Sequence, residues 1–149
     1  TKRNAVMYAS PGRAYVYFAY GNHHMLNLVC ESEGVAGAVL LRALEPLVGL
    51  EQMVRRRGAG ARHGLANGPG RLAQALGVDL TANGSLLGEG RLAVFDVPEA
   101  CRPEVLSSGR VGLSQGHEAE LRFYVGGNAH VSRAKTGPRP SAGRRKGQP

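Results

Sequence analysis

Tryptophan is absent from this 149-residue chain, aromatic residues make up only 5%, and there are just two cysteines. Cys30 and Cys101 stand alone, without the spacing that metal ligands need, and read as reduced, small apolar side chains rather than a bridge. No zinc, haem or iron–sulfur pattern occurs, and no phosphate-binding glycine loop of standard spacing, so neither metal nor cofactor is expected. No apolar run is long enough to span a bilayer and no signal-peptide layout is present, which points to a soluble, cytoplasmic protein. No internal repeat is visible. Position 1 is Thr rather than Met, so the chain is expected to be a piece of something longer, with Met7 as an alternative start.

The apolar fraction, 42%, suits one domain with a real core. Acidic residues are unevenly placed within a net charge of +8. From Val131 to Pro149 there are six basic residues and no acidic one, leaving 13 basic against 11 acidic elsewhere. Residues 1–132 therefore read as the domain and 133–149 as a disordered basic tail. Such a tail adds only non-specific attraction to phosphates.

The richest stretch is Tyr15-Val16-Tyr17-Phe18-Ala19-Tyr20-Gly21-Asn22-His23-His24-Met25-Leu26-Asn27, which holds three of the five tyrosines. Pro11-Gly12 precedes it and Gly21-Asn22 divides two strand-like runs, the pattern of a β-hairpin. Alternation puts Tyr15 and Tyr17 on one face and Val16, Phe18 and Tyr20 on the other. The return strand brings His23, His24 and Asn27 toward these rings. That mixture suits a site that stacks a flat heterocycle and reads its edge. The alternative is an amphipathic hairpin whose tyrosines border a core.

Ala38 to Leu44 reads as a buried strand interrupted by Arg42, a cation that needs an acid, a phosphate or a polar pocket. Glu45 is the simplest structural partner. Pro46 is placed to open a helix to about Arg57, with Leu47, Leu50, Met53 and Val54 as its apolar stripe and Arg55 to Arg57 matching the dipole. A glycine-rich loop, Gly58 to Gly68, carries Arg62 and His63. Pro69 begins a second helix with Leu72, Ala75 and Leu76 inward and Gly77 as its stop. Its Gly68-Pro69-Gly70-Arg71 entry fits either a phosphate site or ordinary capping. Arg91 to Val97, Arg110 to Leu113 and Leu121 to Val125 read as further strands. The expected fold is mixed α/β: one domain with a curved antiparallel sheet and two or more short helices.

Several blocks, taken together, resemble one family. They are Arg3-Asn4, Pro11-Gly12, Tyr15-Val16-Tyr17, Tyr20-Gly21, Asn27, Leu40-Leu41-Arg42-Ala43-Leu44-Glu45-Pro46, Gly68-Pro69 with Arg71-Leu72 and Gln74-Ala75-Leu76, Arg110-Val111-Gly112 and Leu121-Arg122-Phe123-Tyr124-Val125. In this order and spacing they are similar to the alkyladenine (3-methyladenine, or methylpurine) DNA glycosylases. The resemblance implies a base-excision repair enzyme, acting as a monomer on double-stranded DNA. It would flip out an alkylated or deaminated purine and hydrolyse its N-glycosidic bond, leaving an abasic site.

The resemblance also implies roles. Tyr17 matches the tyrosine that stacks on the flipped base, and Tyr20 the ring pushed into the gap. Asn27 matches the asparagine at the purine edge, which disfavours guanine's exocyclic amine. Arg42 matches the arginine that holds the attacking water, and Leu113 a position whose main-chain carbonyl holds it too. Arg3, Asn22 and His23 fall near the DNA, although Asn22 and His23 replace larger apolar or aromatic residues. The family's catalytic glutamate lies in a segment before the Arg3-Asn4 block, so the isolated chain is expected to be inactive or nearly so. A non-catalytic DNA-lesion binder and an RNA-binding domain are the alternatives.

Overall fold

A computed structural model describes residues 2–58, 61, 64–88, 90–110 and 119–132, the side chains of Lys2 and Arg3 excepted. The chain opens with a 3-10 turn, Lys2–Tyr8, and then forms β1 (Ala14–Ala19), β2 (His23–Val29) and β3 (Ala38–Leu40). These pair antiparallel in the order β1-β2-β3. Helices α1 (Leu50–Arg57) and α2 (Pro69–Leu76) follow, and β4 (Val105–Ser108) with β5 (Arg122–Val125) makes a second, two-stranded antiparallel sheet. The mixed α/β reading holds.

The hairpin forms as its alternation requires. Tyr15 pairs with Asn27 and Tyr17 with Met25, while Val16 pairs with Leu26 and Phe18 with His24. Cross-strand partners share a face, so Tyr15, Tyr17, Met25 and Asn27 lie on one side of the sheet and Val16, Phe18, His24 and Leu26 on the other. On the apolar side Ala14, Val16 and Leu26 pack against Ala66, Leu72, Ala73, Ala75 and Val78, which form the core with them. Gly77 ends α2 in the left-handed conformation, with φ of 70°. Gly70 lies so close to the His23 ring that an added Cβ would meet its Cγ at 2.7 Å, which places the start of α2 against the hairpin.

Two predicted elements are corrected. Helix α1 begins at Leu50 rather than Pro46, because Gly49 takes a left-handed φ of 77° just before it. Leu47, expected on the buried stripe, is 79% exposed, and only Met53 and Val54 of that stripe are half-buried. Arg91 to Val97 is irregular, and Phe95 is 84% exposed. Its alternation has no sheet beside it to bury one set of side chains, and alternation without a partner does not make a strand. The strand that pairs with β5 is Val105–Ser108, a segment not read as a strand: Leu106 pairs with Tyr124 and Ser108 with Arg122. Arg110 follows β4, and residues 111–113 lie outside the described residues.

Both cysteines are free, as expected, but exposed rather than packed as apolar side chains. Among the described residues no group of His, Cys, Asp or Glu could hold a metal ion, and no helix is long and apolar enough to cross a membrane.

Candidate active site

Tyr15, Tyr17, Met25 and Asn27 stand together on the face of the hairpin turned away from α2. Leu40 of β3 is opposite Asn27 and extends that face by one strand. The Tyr15 and Tyr17 rings lie 5.4 Å apart with their planes inclined by 39°. Tyr15 is buried, and Tyr17, half-buried, is the ring with surface to offer. Asn27 is 6% exposed, and its Nδ2 donates to the carbonyl oxygens of Tyr15 at 3.1 Å and Met25 at 3.4 Å. With its amide hydrogens engaged by the sheet, the side chain has a fixed orientation and cannot swing away from whatever reaches it.

His23 falls on the tyrosine face, opposite Ala19, but its ring packs against Gly70. His24, expected near the tyrosines, is on the other face, its ring 5.1 Å from that of Phe18. Residue parity decides this, because His24 pairs with Phe18 and not with Tyr17.

Tyr20 is not on a strand. The turn is Tyr20-Gly21-Asn22, closed by the Asn22 N–H donating to the Ala19 carbonyl at 3.3 Å. Tyr20 and Gly21 both have positive φ, 55° and 72°, the condition for a turn whose twist matches the flanking strands. Tyr20 is the one non-glycine residue with positive φ among those described, and it is 89% exposed. Glycine or asparagine takes this conformation readily, whereas a bulky residue is strained by it. Asn22, next in the turn, is exposed beside it.

Arg42 corrects the sequence reading most sharply. The pattern of its neighbours buries it in a strand running to Leu44, but β3 ends at Leu40 and Arg42 is exposed. Beyond Leu40 the chain is held by isolated contacts. The Leu41 N–H donates to the Leu26 carbonyl at 3.0 Å, Ala43 bridges to Asn67, and the Leu44 N–H donates to the Ala66 carbonyl at 3.1 Å. Arg42 has no ion pair among the described residues. Its expected structural partner, Glu45, accepts instead from Asn128 Nδ2 at 2.7 Å.

Among the described residues the buried cation is Arg122. Its guanidinium lies 4.4 Å from the Tyr124 ring centre and donates to Ser108 Oγ and the Ser132 carbonyl. A flat cation over an aromatic face, with neutral acceptors at its edge, can be buried without an acid.

The arginines of α1 are likewise occupied. Arg56 donates to the Ala75 carbonyl and Arg57 to Gln74, tying α1 to α2, while Arg55 faces Glu51 one turn away. The entry to α2 has no side-chain cap, and Arg71 is exposed beside it. The Arg3 side chain, Leu113, Arg62 and His63 lie outside the described residues.

The family model described as "Methylpurine-DNA glycosylase (MPG)" matches residues 1–129. The chain belongs to that family. It is 46% identical over 138 residues to a protein of Chlorobaculum parvum named "Putative 3-methyladenine DNA glycosylase", the match covering 92% of this chain and 66% of that one. Proteins of the same name from Methanoculleus marisnigri and Rubrobacter xylanophilus are each 46% identical, covering 89% and 95% of this chain and 71% and 72% of theirs. The chain thus spans about two thirds of the length of the curated relatives it matches. The matched stretch contains the hairpin, the Arg42 segment and both sheets. Reasoning from sequence gave no role to the buried Tyr15 that backs Tyr17 and did not find the Asn128–Glu45 contact. Tyr15 was readable from its two-residue spacing to Tyr17; no local pattern links positions 83 residues apart.

Proposed function

We propose that this chain forms the base-recognition part of a DNA glycosylase that extrudes a damaged purine and hydrolyses its N-glycosidic bond, leaving an abasic site. The observation that carries the reading is the tyrosine face: a half-buried ring, Tyr17, backed by Tyr15 and bordered by a fixed amide, Asn27. Tyr17 stacks on the extruded base. Alkylation gives the purine a positive charge, which improves both its stacking on an electron-rich ring and its departure as a leaving group. Asn27 is the residue at the purine edge assigned to disfavour the exocyclic amine of normal guanine.

Tyr20, strained and exposed at the turn, supplies the wedge that fills the vacated stack, with Asn22 beside it. Arg42, exposed and without an ion pair among the described residues, holds the attacking water, together with the main-chain carbonyl of Leu113. Arg3 and His23 border the DNA. No carboxylate stands on the tyrosine face among the strand residues that form it, so the base that activates water is not one of them. General-base help is worth about 10² to 10⁴ in rate.

The test is excision by the full-length gene product from duplexes containing hypoxanthine or ethenoadenine, read as alkali-labile strand breaks. Arg42→Ala should lower the single-turnover rate by about 10²-fold, the usual cost of losing one preorganised donor. Tyr17→Ala should lower it by about 10-fold or more, since stacking one base is worth roughly 1–3 kcal/mol. Full excision by Arg42→Ala would remove the water-holding role.

A further inference from the structure

Met25 is 5% exposed, yet it is not part of the core that Val16 and Leu26 form with α2. It is buried on the other face of the hairpin, the one that carries Tyr15 and Tyr17. Cross-strand pairing makes that face a two-by-two patch, with Tyr15 opposite Asn27 and Tyr17 opposite Met25. Tyr17 and Asn27 therefore stand on one diagonal, and Tyr15 and Met25 on the other. Diagonal neighbours of an antiparallel pair lie about 7–8 Å apart. A flat bicyclic base that stacks on Tyr17 and reaches Asn27 must cross the middle of this patch. Tyr15 stands behind the Tyr17 ring, 5.4 Å away, so Met25 is the side chain left beneath the base. An unbranched thioether has three rotatable bonds and a soft sulfur that makes favourable contacts with ring edges, so it repacks around groups of different size. Asn27 Nδ2 donates to the Met25 carbonyl, a main-chain contact that does not depend on which side chain position 25 carries.

We infer that Met25 is a specificity-determining residue that sets the size of base this site takes. Its side chain gives way under a purine enlarged by a fused ring, such as ethenoadenine, and closes again under one of ordinary size, such as hypoxanthine. The inference deepens the base-reading role proposed above for Tyr17 and Asn27 and rests on it.

The experiment is single-turnover excision of ethenoadenine and of hypoxanthine, in the same duplex context, by saturating full-length gene product. The readout is the ratio of the two rates, with the thermal midpoint measured for each variant. Isoleucine suits a strand but is branched at Cβ and stiff, so it cannot fold aside. Met25→Ile should lower the ethenoadenine-to-hypoxanthine ratio about tenfold, the discrimination that one methylene's worth of space provides. Met25→Ala should raise the ratio, because the smaller base loses the support beneath it while the larger one still reaches. Met25→Leu, a volume-conserving swap, guards against loss of the fold and should move the ratio in the same direction as Met25→Ile.

A side chain that merely packs on the tyrosine face would change both rates together and leave the ratio at its wild-type value in every variant. That outcome overturns the inference, as does a shift in the same direction for Met25→Ile and Met25→Ala. Tyr17→Ala separates the inference from the reading beneath it. If Tyr17→Ala excises both bases at wild-type rates, the tyrosine face is not the base site and the inference falls with it. If Tyr17→Ala is crippled while the ratios of the Met25 variants stay at the wild-type value, only the inference falls.

Discussion

Tyr20 holds its place in the turn at a cost. A non-glycine residue kept in the left-handed region is destabilising by of order 1 kcal/mol or more, and nothing in the core offsets it, since the ring is exposed. Strain kept at an exposed aromatic is what a wedge for DNA would require. Tyr20→Asn relieves it, because asparagine tolerates this conformation. The urea midpoint should rise, corresponding to about 0.5–1 kcal/mol of added stability, while excision falls. A drop in stability would mean that the ring packs on something in the folded protein. At this scale the sequence was legible wherever alternation governs: Tyr15, Tyr17 and Asn27 fall on one face as read. It was not legible for Arg42, whose burial was inferred from apolar neighbours. Of those neighbours only Ala38 to Leu40 form a strand, which stops two residues earlier.

The hairpin and α2 behave as one unit, because the apolar face of the strands is filled by the inward side of the helix. Leu72 is fully buried at the centre of that contact. Leu72→Ala should cost about 2–5 kcal/mol in denaturant unfolding, and a value below about 1 kcal/mol would show that the contact does not organise the fold. The short turn Leu80–Ala82, which brings Asn83 to the Val16 amide, is capped by Asp79. Hydrogen bonds from the Thr81 side chain, then from its backbone N–H, hold the Asp79 carboxyl below its ordinary 3.8. A lowered value means that the cap's contribution is complete above the ordinary value and is lost as pH falls through the lowered one. The Thr81 amide resonance should therefore titrate at a pH below 3.8. Titration above that value would contradict the cap.

The hairpin and α2 were readable because turn residues, alternation and a terminal glycine agree. Helix α1 was misplaced by four residues because Pro46 is as good a helix opener as Leu50 is a poor one, and only the left-handed Gly49 decides between them. The β4–β5 pairing was missed because Val105 to Ser108 carries a weaker pattern than Arg110 to Leu113, and pairing between distant strands is set by tertiary contact.

Across the whole molecule, the excess of positive charge gathers at the C-terminal end. The residues from Thr136 to Pro149 include four cations and no anion. Removing them should flatten the dependence of DNA affinity on salt, by a slope of up to about 0.9 for each phosphate they neutralise, and leave the excision rate of bound substrate unchanged. A changed rate on bound substrate would place this segment at the reacting base. Everything proposed above depends on the two-sided hairpin, one face reading the base and the opposite face building the core. Its sharpest test compares single-turnover excision of ethenoadenine by Tyr17→Ala and Phe18→Ala in the full-length gene product, two adjacent aromatic residues on opposite faces of β1. A two-sided hairpin predicts a loss of about tenfold or more for Tyr17→Ala, the value of one stacked base, and a rate close to wild type for Phe18→Ala. Equal rates for the two variants, or a larger loss at Phe18, would contradict it.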